Sequence, residues 1–331
     1  MTIEGQLISL DQPDEWQNAL QDVPHGYWHS WQANRALQLS LGLPSFLYRC
    51  SESSLGHKAV CNFSERQWRD SVDIFSPAGF SGFVTNGAII ELRNIWQQFA
   101  RRREYVCGYF ALHPVLADQS AHDNLRTSNN LYVMDVSPGR AALLQKSNSN
   151  VKRSMKAWEK SDRPYIEDRE LLTEFILKNY RAFMQRSNAT SSILWNDDTL
   201  RRICADPAVL LVGIEDEEGL CIVSSFATSC YGAEYQFNVN LRNGRQLTAA
   251  TIFWCIEQLE YIGVQWLNLG GGIKPHDSLA QAKERYRPQC LPFYNAIEIY
   301  DEARYRQLCL QAGKNPDNLG GFFPPYRSAD I

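Results

Sequence analysis

The chain has 331 residues, 44% of them apolar, with 15 Phe, 15 Tyr and 9 Trp and a formal net charge of −4. That length exceeds what one hydrophobic core usually serves, so two domains are expected, and the apolar content excludes a disordered chain. The acidic balance excludes bulk, sequence-blind binding of nucleic acid and leaves only local basic patches, such as Arg101-Arg102-Arg103 and the series Lys152, Arg153, Lys156, Lys160, Arg163.

In chain order, the first half predicts strands at 46–50, 58–63 and 79–84, a helix over 88–103 and a strand at 105–112. The polar stretch 118–123, followed by Thr127-Ser128-Asn129-Asn130, has the composition of a surface connection. A boundary there gives domains 1–128 and 129–331. The second half predicts a strand at 131–136, helices over 140–158 and 168–186, and three strands in hairpin order at 209–214, 220–229 and 234–241. A helix over 247–261, a strand at 264–269, a helix over 277–286 and a strand at 293–300 complete it. The order β-α-α-β-β-β-α-β-α-β, repeated more loosely in the first half, reads as an α/β fold with mixed sheets, duplicated, the first copy degenerate.

Nine cysteines, odd in number and never in a Cys-x-x-Cys pair, point to a reducing compartment and to neither a disulfide framework nor a zinc site. The N-terminus lacks a basic region followed by an apolar stretch, and no apolar run approaches the roughly 18 residues that spanning a bilayer requires. A soluble cytoplasmic protein with no metal, no bound cofactor and no membrane insertion is expected.

Several segments resemble the Fem-type aminoacyltransferases that build peptidoglycan interpeptide bridges, and the wider FemAB-like N-acyltransferases of the GNAT fold. Asp73-Ile74-Phe75-Ser76-Pro77-Ala78-Gly79-Phe80-Ser81-Gly82 is similar to the family's Asp-x-x-Ser-Pro-Tyr-Gly-Tyr-x-Gly, and Phe110-Ala111-Leu112-His113-Pro114 to Phe-Arg-Leu-His-Pro. Asn150-Val151-Lys152-Arg153-Ser154-Met155-Lys156 resembles a basic Asn-x-Arg-Lys-x-x-Lys helix, and Tyr180, Met184, Arg186 and Ala189 fit Tyr-x-x-x-Met-x-Arg-x-x-Ala. Leu269-Gly270-Gly271-Gly272, Asp277-Ser278-Leu279 and Lys283 fit Leu-Gly-Gly-Gly, Asp-Ser-Leu and Phe-Lys, with Ala282 in place of the Phe. The ending Phe322-Phe323-Pro324-Pro325-Tyr326-Arg327 is also similar. Ala78, Ala111 and Ala282 depart from the pattern.

The resemblance implies two tandem GNAT-like domains, the second with a sheet splayed between its fourth and fifth strands where the acyl donor enters. It implies transfer of an aminoacyl group from aminoacyl-tRNA, or of an acyl group from acyl-CoA, onto an amine-bearing acceptor such as a cell-envelope precursor or peptide-like metabolite. The junction Leu241-Arg242-Asn243-Gly244-Arg245-Gln246-Leu247-Thr248 lacks the Gln/Arg-x-x-Gly-x-Gly/Ala fingerprint that cradles the coenzyme A pyrophosphate, which favours aminoacyl-tRNA. A non-catalytic binding protein on the same fold is the alternative that the three alanine replacements raise.

Amide formation passes through a tetrahedral oxyanion, and a fixed cation aimed at it lowers the barrier by roughly 3 kcal/mol. The resemblance assigns that cation to Lys283; the other reading is a surface lysine paired with Glu284 or Glu257. Asp73 is the second catalytic candidate, to take the amine's proton or hold its ammonium, or else a turn-capping Asp ahead of Ser76-Pro77. Arg153 and Arg186 suit phosphate or carboxylate, or an internal ion pair with Glu167, Asp168 or Glu174. Phe80, Tyr235, Asn238 and Gly271 are the remaining substrate-binding candidates. His113, with no histidine partner nearby, reads as a hydrogen-bonded structural residue.

Overall fold

The computed structural model describes residues 3–52, 54–187 and 194–328; Ala189 of the motif above lies outside the described residues. The chain divides into two compact units: Met1–Ser128 with Phe293–Ile331, and Asn129–Pro292.

The first unit opens with β1 (Ile3–Ser9), α1 (Pro13–Leu20), α2 (Trp31–Leu41), β2 (Ser45–Glu52), β3 (His57–Trp68) and β4 (Ser71–Phe75). It continues with the two-residue β5 (Val84–Thr85), α3 (Leu92–Arg102), β6 (Tyr105–Ala111) and the start of β7 (Leu125–Asp135). α2 begins at Ser30, whose side chain accepts the Ala33 N–H, and ends at Gly42 in the left-handed region at φ 64°. β1, β2, β3 and β4 pair antiparallel in succession, and β4 runs parallel to β6. Trp96 on α3 anchors the core, its ring centroid 4.9 Å from Tyr48, 5.5 Å from Phe83 and 5.7 Å from Phe63.

Three expectations are corrected here. The strand expected at 79–84 is instead β4, eight residues earlier in its start, because Gly79 and Gly82 take positive φ (82° and 90°) and carry a loop. A Cβ on Gly79 would fall 2.2 Å from the Trp28 ring, so the loop crosses an indole that only glycine permits. The polar connection at 118–130 is not all surface: Ala121 and His122 are buried and Thr127–Asn130 lies within β7. His122 donates from Nδ1 to Glu298 at 2.8 Å while its Nε2 accepts the Phe83 N–H at 3.2 Å, so a polar residue is fully satisfied inside. Finally, the second domain does not run to Ile331. Residues Asn295 to Ile299 of β12 (Gln289–Ile299) pair antiparallel with β6, and α10 (Glu302–Gln311) contributes Tyr305 and Leu308 to a cluster with Val106, Cys107 and Ile297. The apolar face of β6 needs that cover, which draws the C-terminal segment into the first unit.

The second unit contains α4 (Gly139–Lys146), α5 (Ser149–Ser161), α6 (Arg169–Arg186) and α7 (Asp197–Ala205). The hairpin strands β8 (Val209–Asp216), β9 (Gly219–Ser229) and β10 (Gly232–Asn240) follow, then α8 (Thr248–Ile262), β11 (Trp266–Gly271) and α9 (Ser278–Glu284). The single helix expected over 140–158 is two, because Asn148 caps α5 by accepting the Val151 N–H and breaks the run. Its sheet order is β7-β11-β10-β9-β8, antiparallel throughout except for the parallel pair β10–β11. α8 is buried all round from Ala249 to Ile256 and packs Phe253, Trp254 and Ile256 into the core, with Glu257 and Glu260 exposed in its last turns.

The parallel pair is short. Ala233 opposes Leu267 and Glu234 opposes Asn268, after which the ladder stops although both strands continue. β10 also shifts register against β9 between Tyr235 and Phe237, an irregularity of the kind that bends a strand away from its neighbour. This is the opening between fourth and fifth strands that the resemblance implied. No helix among the described residues is long and apolar enough to cross a membrane.

Candidate active site

The opening holds a cavity of about 750 Å³. Tyr235, Phe237 and Asn238 of β10 line it on one side, Leu269 and Gly270 of β11 on the other, all immediately past the last paired residues. Residues of α5 (Val151, Ser154) and α6 (Phe183, Met184, Arg186) form further wall, and α9 supplies Lys283. Its volume is in the range of small-molecule sites.

Lys283 is 9% exposed. Asp277 positions it: the carboxylate accepts the Ala280 N–H at 2.8 Å, capping α9, and the Ile273 and Lys274 N–H groups at 2.7 and 3.0 Å, fixing the turn after the glycines. The ammonium donates to the Gly271 carbonyl at 2.5 Å, and a Cβ on Gly270, itself at φ 74°, would stand 3.2 Å from Nζ. The glycines thus let the backbone close around the cation. Burial pushes the Lys283 pKa down to about 8 from 10.5, partly opposed by the charge of Asp277. Neither expected ion pair, to Glu284 or Glu257, forms: Glu284 accepts from Tyr132 and Glu257 faces Arg140.

Gly271 belongs to the same turn; a Cβ there would meet the Asn130 carbonyl at 2.7 Å. Asn238 is buried and donates to the Ser224 hydroxyl at 2.9 Å. Tyr235 stacks on Phe226 at 5.1 Å, and burial pushes its hydroxyl and that of Tyr286 well up, so both remain protonated donors. Arg186 lines the cavity and donates to the Asn240 carbonyl at 3.0 Å. Its alternative partners are engaged elsewhere: Glu167 accepts from Trp254, Asp168 caps α6 and Glu174 pairs with Arg201.

Three candidates are not brought to this cavity. Arg153 is exposed on α5 and bonds Asn150 at 2.8 Å; it is not among the lining residues. Phe80 belongs to the first unit and packs edge-on against His113 and Phe293, at 6.2 and 5.5 Å. Asp73 lies on β4 of the first unit, 1% exposed, with Arg66 at 2.7 Å on one oxygen and Arg327 at 2.6 Å on the other, where the Tyr326 hydroxyl also donates at 3.1 Å. Buried, engaged by both guanidinium groups and absent from the cavity lining, Asp73 stands as an ionic clasp rather than as the base considered above. It is not the turn cap considered either; it joins two motif segments 254 residues apart in sequence. His113 is structural as expected: its Nδ1 accepts the Val115 and Leu116 N–H groups at 3.2 and 3.1 Å, and burial lowers its pKa to about 3.

Sequence reasoning missed Arg245 and Arg285, which line the cavity beside Arg186. Arg245 belongs to the junction that lacks the pyrophosphate fingerprint. In the structure that segment is a 3-10 helix, Asn243–Leu247, running straight into α8, with the Gly244 N–H donated to Leu241. The Gly244 amide is thus spent on a turn bond rather than offered to a ligand. A Cβ on Gly244 would press to 2.3 Å from the Cys221 carbonyl, so the glycine serves close packing on the sheet.

No protein-family model matches the sequence, and no curated protein matches it. Among solved structures, FemX superposes with a TM-score of 0.68 at 9% identity, covering 92% of this chain and 99% of its own. L-PGS from Bacillus licheniformis gives 0.57 at 11% identity over 88% of this chain and 92% of its own. A conserved protein of unknown function from Bacteroides thetaiotaomicron gives 0.58 at 10% identity over 90% and 100%. The chain therefore has the fold of FemX, an α/β architecture of two compact units.

Proposed function

We propose that the second unit is a transferase that forms an amide by moving an acyl or aminoacyl group onto an amine, with the Lys283 ammonium stabilising the oxyanion. The observation that carries this reading is a buried lysine on the wall of a cavity that opens where two parallel strands part, with no carboxylate bonded to it among the described residues. The amine nitrogen bonds to the donor's carbonyl carbon, the C–O bond of an ester donor (or C–S of a thioester) breaks, and the amine's proton leaves. Among the described residues lining the cavity there is no Asp, Glu or His, so the proton passes to the leaving group or to water. The protein's contribution is then electrostatic preorganisation and orientation rather than general-base catalysis.

An aminoacyl-tRNA donor is preferred to an acyl-CoA because the β10–α8 junction lacks the pyrophosphate fingerprint and forms a 3-10 turn in which the Gly244 amide bonds the Leu241 carbonyl. The similarity to FemX agrees with a transfer reading. The acceptor is an amine-bearing cell-envelope precursor or peptide-like metabolite, handled in the cytoplasm.

The test offers the protein charged tRNA or acyl-CoA with an amine acceptor and asks which donor is consumed. Lys283→Ala is expected to lower kcat about 10²–10³-fold, the loss typical of one oxyanion donor, with KM little changed. Transfer that survives this substitution undiminished sinks the mechanism.

A further inference from the structure

We infer that the cavity selects a neutral or anionic group with an apolar body and rejects a cationic one, so lysyl and arginyl groups are not what this site handles. For the identity of that group as the one transferred, the inference rests on the reading above; the charge preference stands on the wall itself. Arg186, Arg245, Lys283 and Arg285 all line the cavity, and not one Asp or Glu does among the described residues. The chain as a whole carries 37 Asp and Glu against 33 Lys and Arg, so a wall of this extent with only positive charge inverts the chain's own balance. None of the four cations takes part in a salt bridge among the described residues. The charge of Asp277 offsets part of the field at Lys283, but Asp277 is not among the lining residues, so a second ammonium entering the cavity meets net repulsion.

The rest of the wall is apolar. Phe183, Phe237, Ile252 and Leu269 line the interior, and at the mouth Ile273 and Leu279 are 59% and 45% exposed although both are cavity residues. Exposed aliphatic side chains flanking an apolar interior suit a ligand that brings its own apolar surface. Cations at Arg186, Arg245 and Arg285, all exposed, then suit an anionic group on the same ligand at the rim, where guanidinium binds carboxylate or phosphate in two parallel bonds.

The experiment titrates the full chain calorimetrically with three probes that share one apolar body: octanoate, octanol and octylamine. Octanoate or octanol is expected to bind at least about tenfold more tightly than octylamine, since each tenfold needs only a small free-energy difference. The double variant Arg186→Glu, Arg245→Glu changes exposed residues and is expected to keep its circular dichroism while reversing the order toward octylamine. Octylamine binding as well as octanoate, none of the probes binding at millimolar concentration, or an unchanged order in the folded double variant each overturns the inference. A transfer assay separates the two claims. Efficient use of a lysyl donor over a leucyl donor would overturn the charge selection and leave transfer standing, whereas ordered probe binding with no transfer from any donor would do the reverse.

Discussion

The two units bury charge in opposite ways. In the first, two buried carboxylates that link distant segments are met from several sides: Asp73 by Arg66, Arg327 and Tyr326, and Glu298 by His122, Trp96 and Tyr300. In the second, Lys283 is almost as buried, donates to one carbonyl, and has its burial only partly offset by the charge of Asp277. A multiply satisfied buried carboxylate fixes which strands and segments meet, because removing any partner strands the others. A buried cation held at a cavity with its charge only partly compensated costs stability and keeps a field where a reaction can use it.

The largest expected effect breaks the first arrangement. Asp73→Ala leaves Arg66 and Arg327 confronting each other in a site that excludes water, and breaking a buried pair in this manner typically costs about 3–5 kcal/mol. Urea unfolding of the variant measures it; a loss below about 1 kcal/mol would mean that the clasp is no more than a surface pair and that the contrast between the units is false.

Lys283→Met tests the other side with the opposite sign. The folded-state pKa lies near 8 against 10.5 unfolded, so at pH 7 the fold holds a charge that it disfavours by about 3 kcal/mol. Methionine removes that penalty but leaves the Gly271 carbonyl without its donor, returning about 1 kcal/mol. A net gain of about 2 kcal/mol at pH 7 is expected, together with loss of transfer. Because the unfolded chain keeps its lysine proton between pH 8 and 10.5 while the folded chain gives it up, wild-type stability rises across that window. The variant's advantage shrinks there, and a gain that is constant with pH would contradict the account.

How much of this was legible beforehand follows from where each signal lived. The second unit's strands and helices carry strong periodicity, and its Gly-rich turn, Asp277 cap and Lys283 stand within one continuous stretch, so element order and the cation's place on α9 both read directly from residues 264–286. The first unit depends on pairings that no local pattern encodes. Asp73 meets Arg327 only through tertiary folding, and His122, set among polar residues that look like a linker, is buried because Glu298 arrives from the far end of the chain. Arg245 and Arg285 were invisible for a similar reason: each is an unremarkable surface arginine until β10 and β11 part and give it a cavity to face. The break at Asn148 was a local signal that the apolar periodicity on either side masked.

The smallest expected effect concerns pH and returns to the first unit. His113 is buried neutral, with its Nδ1 lone pair accepting two backbone N–H groups, and its pKa is near 3 against 6.5 in the unfolded chain. Below pH 6.5 the unfolded chain takes up a proton that the folded one refuses, so stability falls with pH and continues to fall toward pH 3. Between pH 6.5 and 5.5 this histidine accounts for about 1 kcal/mol of loss. His29, lowered to about 4 by burial, adds to the same trend. His113→Asn keeps a side-chain oxygen able to accept the Val115 and Leu116 amides in a turn of the same type but cannot titrate. Stability measured from pH 7 to 5 should therefore fall less steeply in the variant, by about 1 kcal/mol per unit. Equal slopes would show that the proton enters elsewhere and that His113 does not carry the trend.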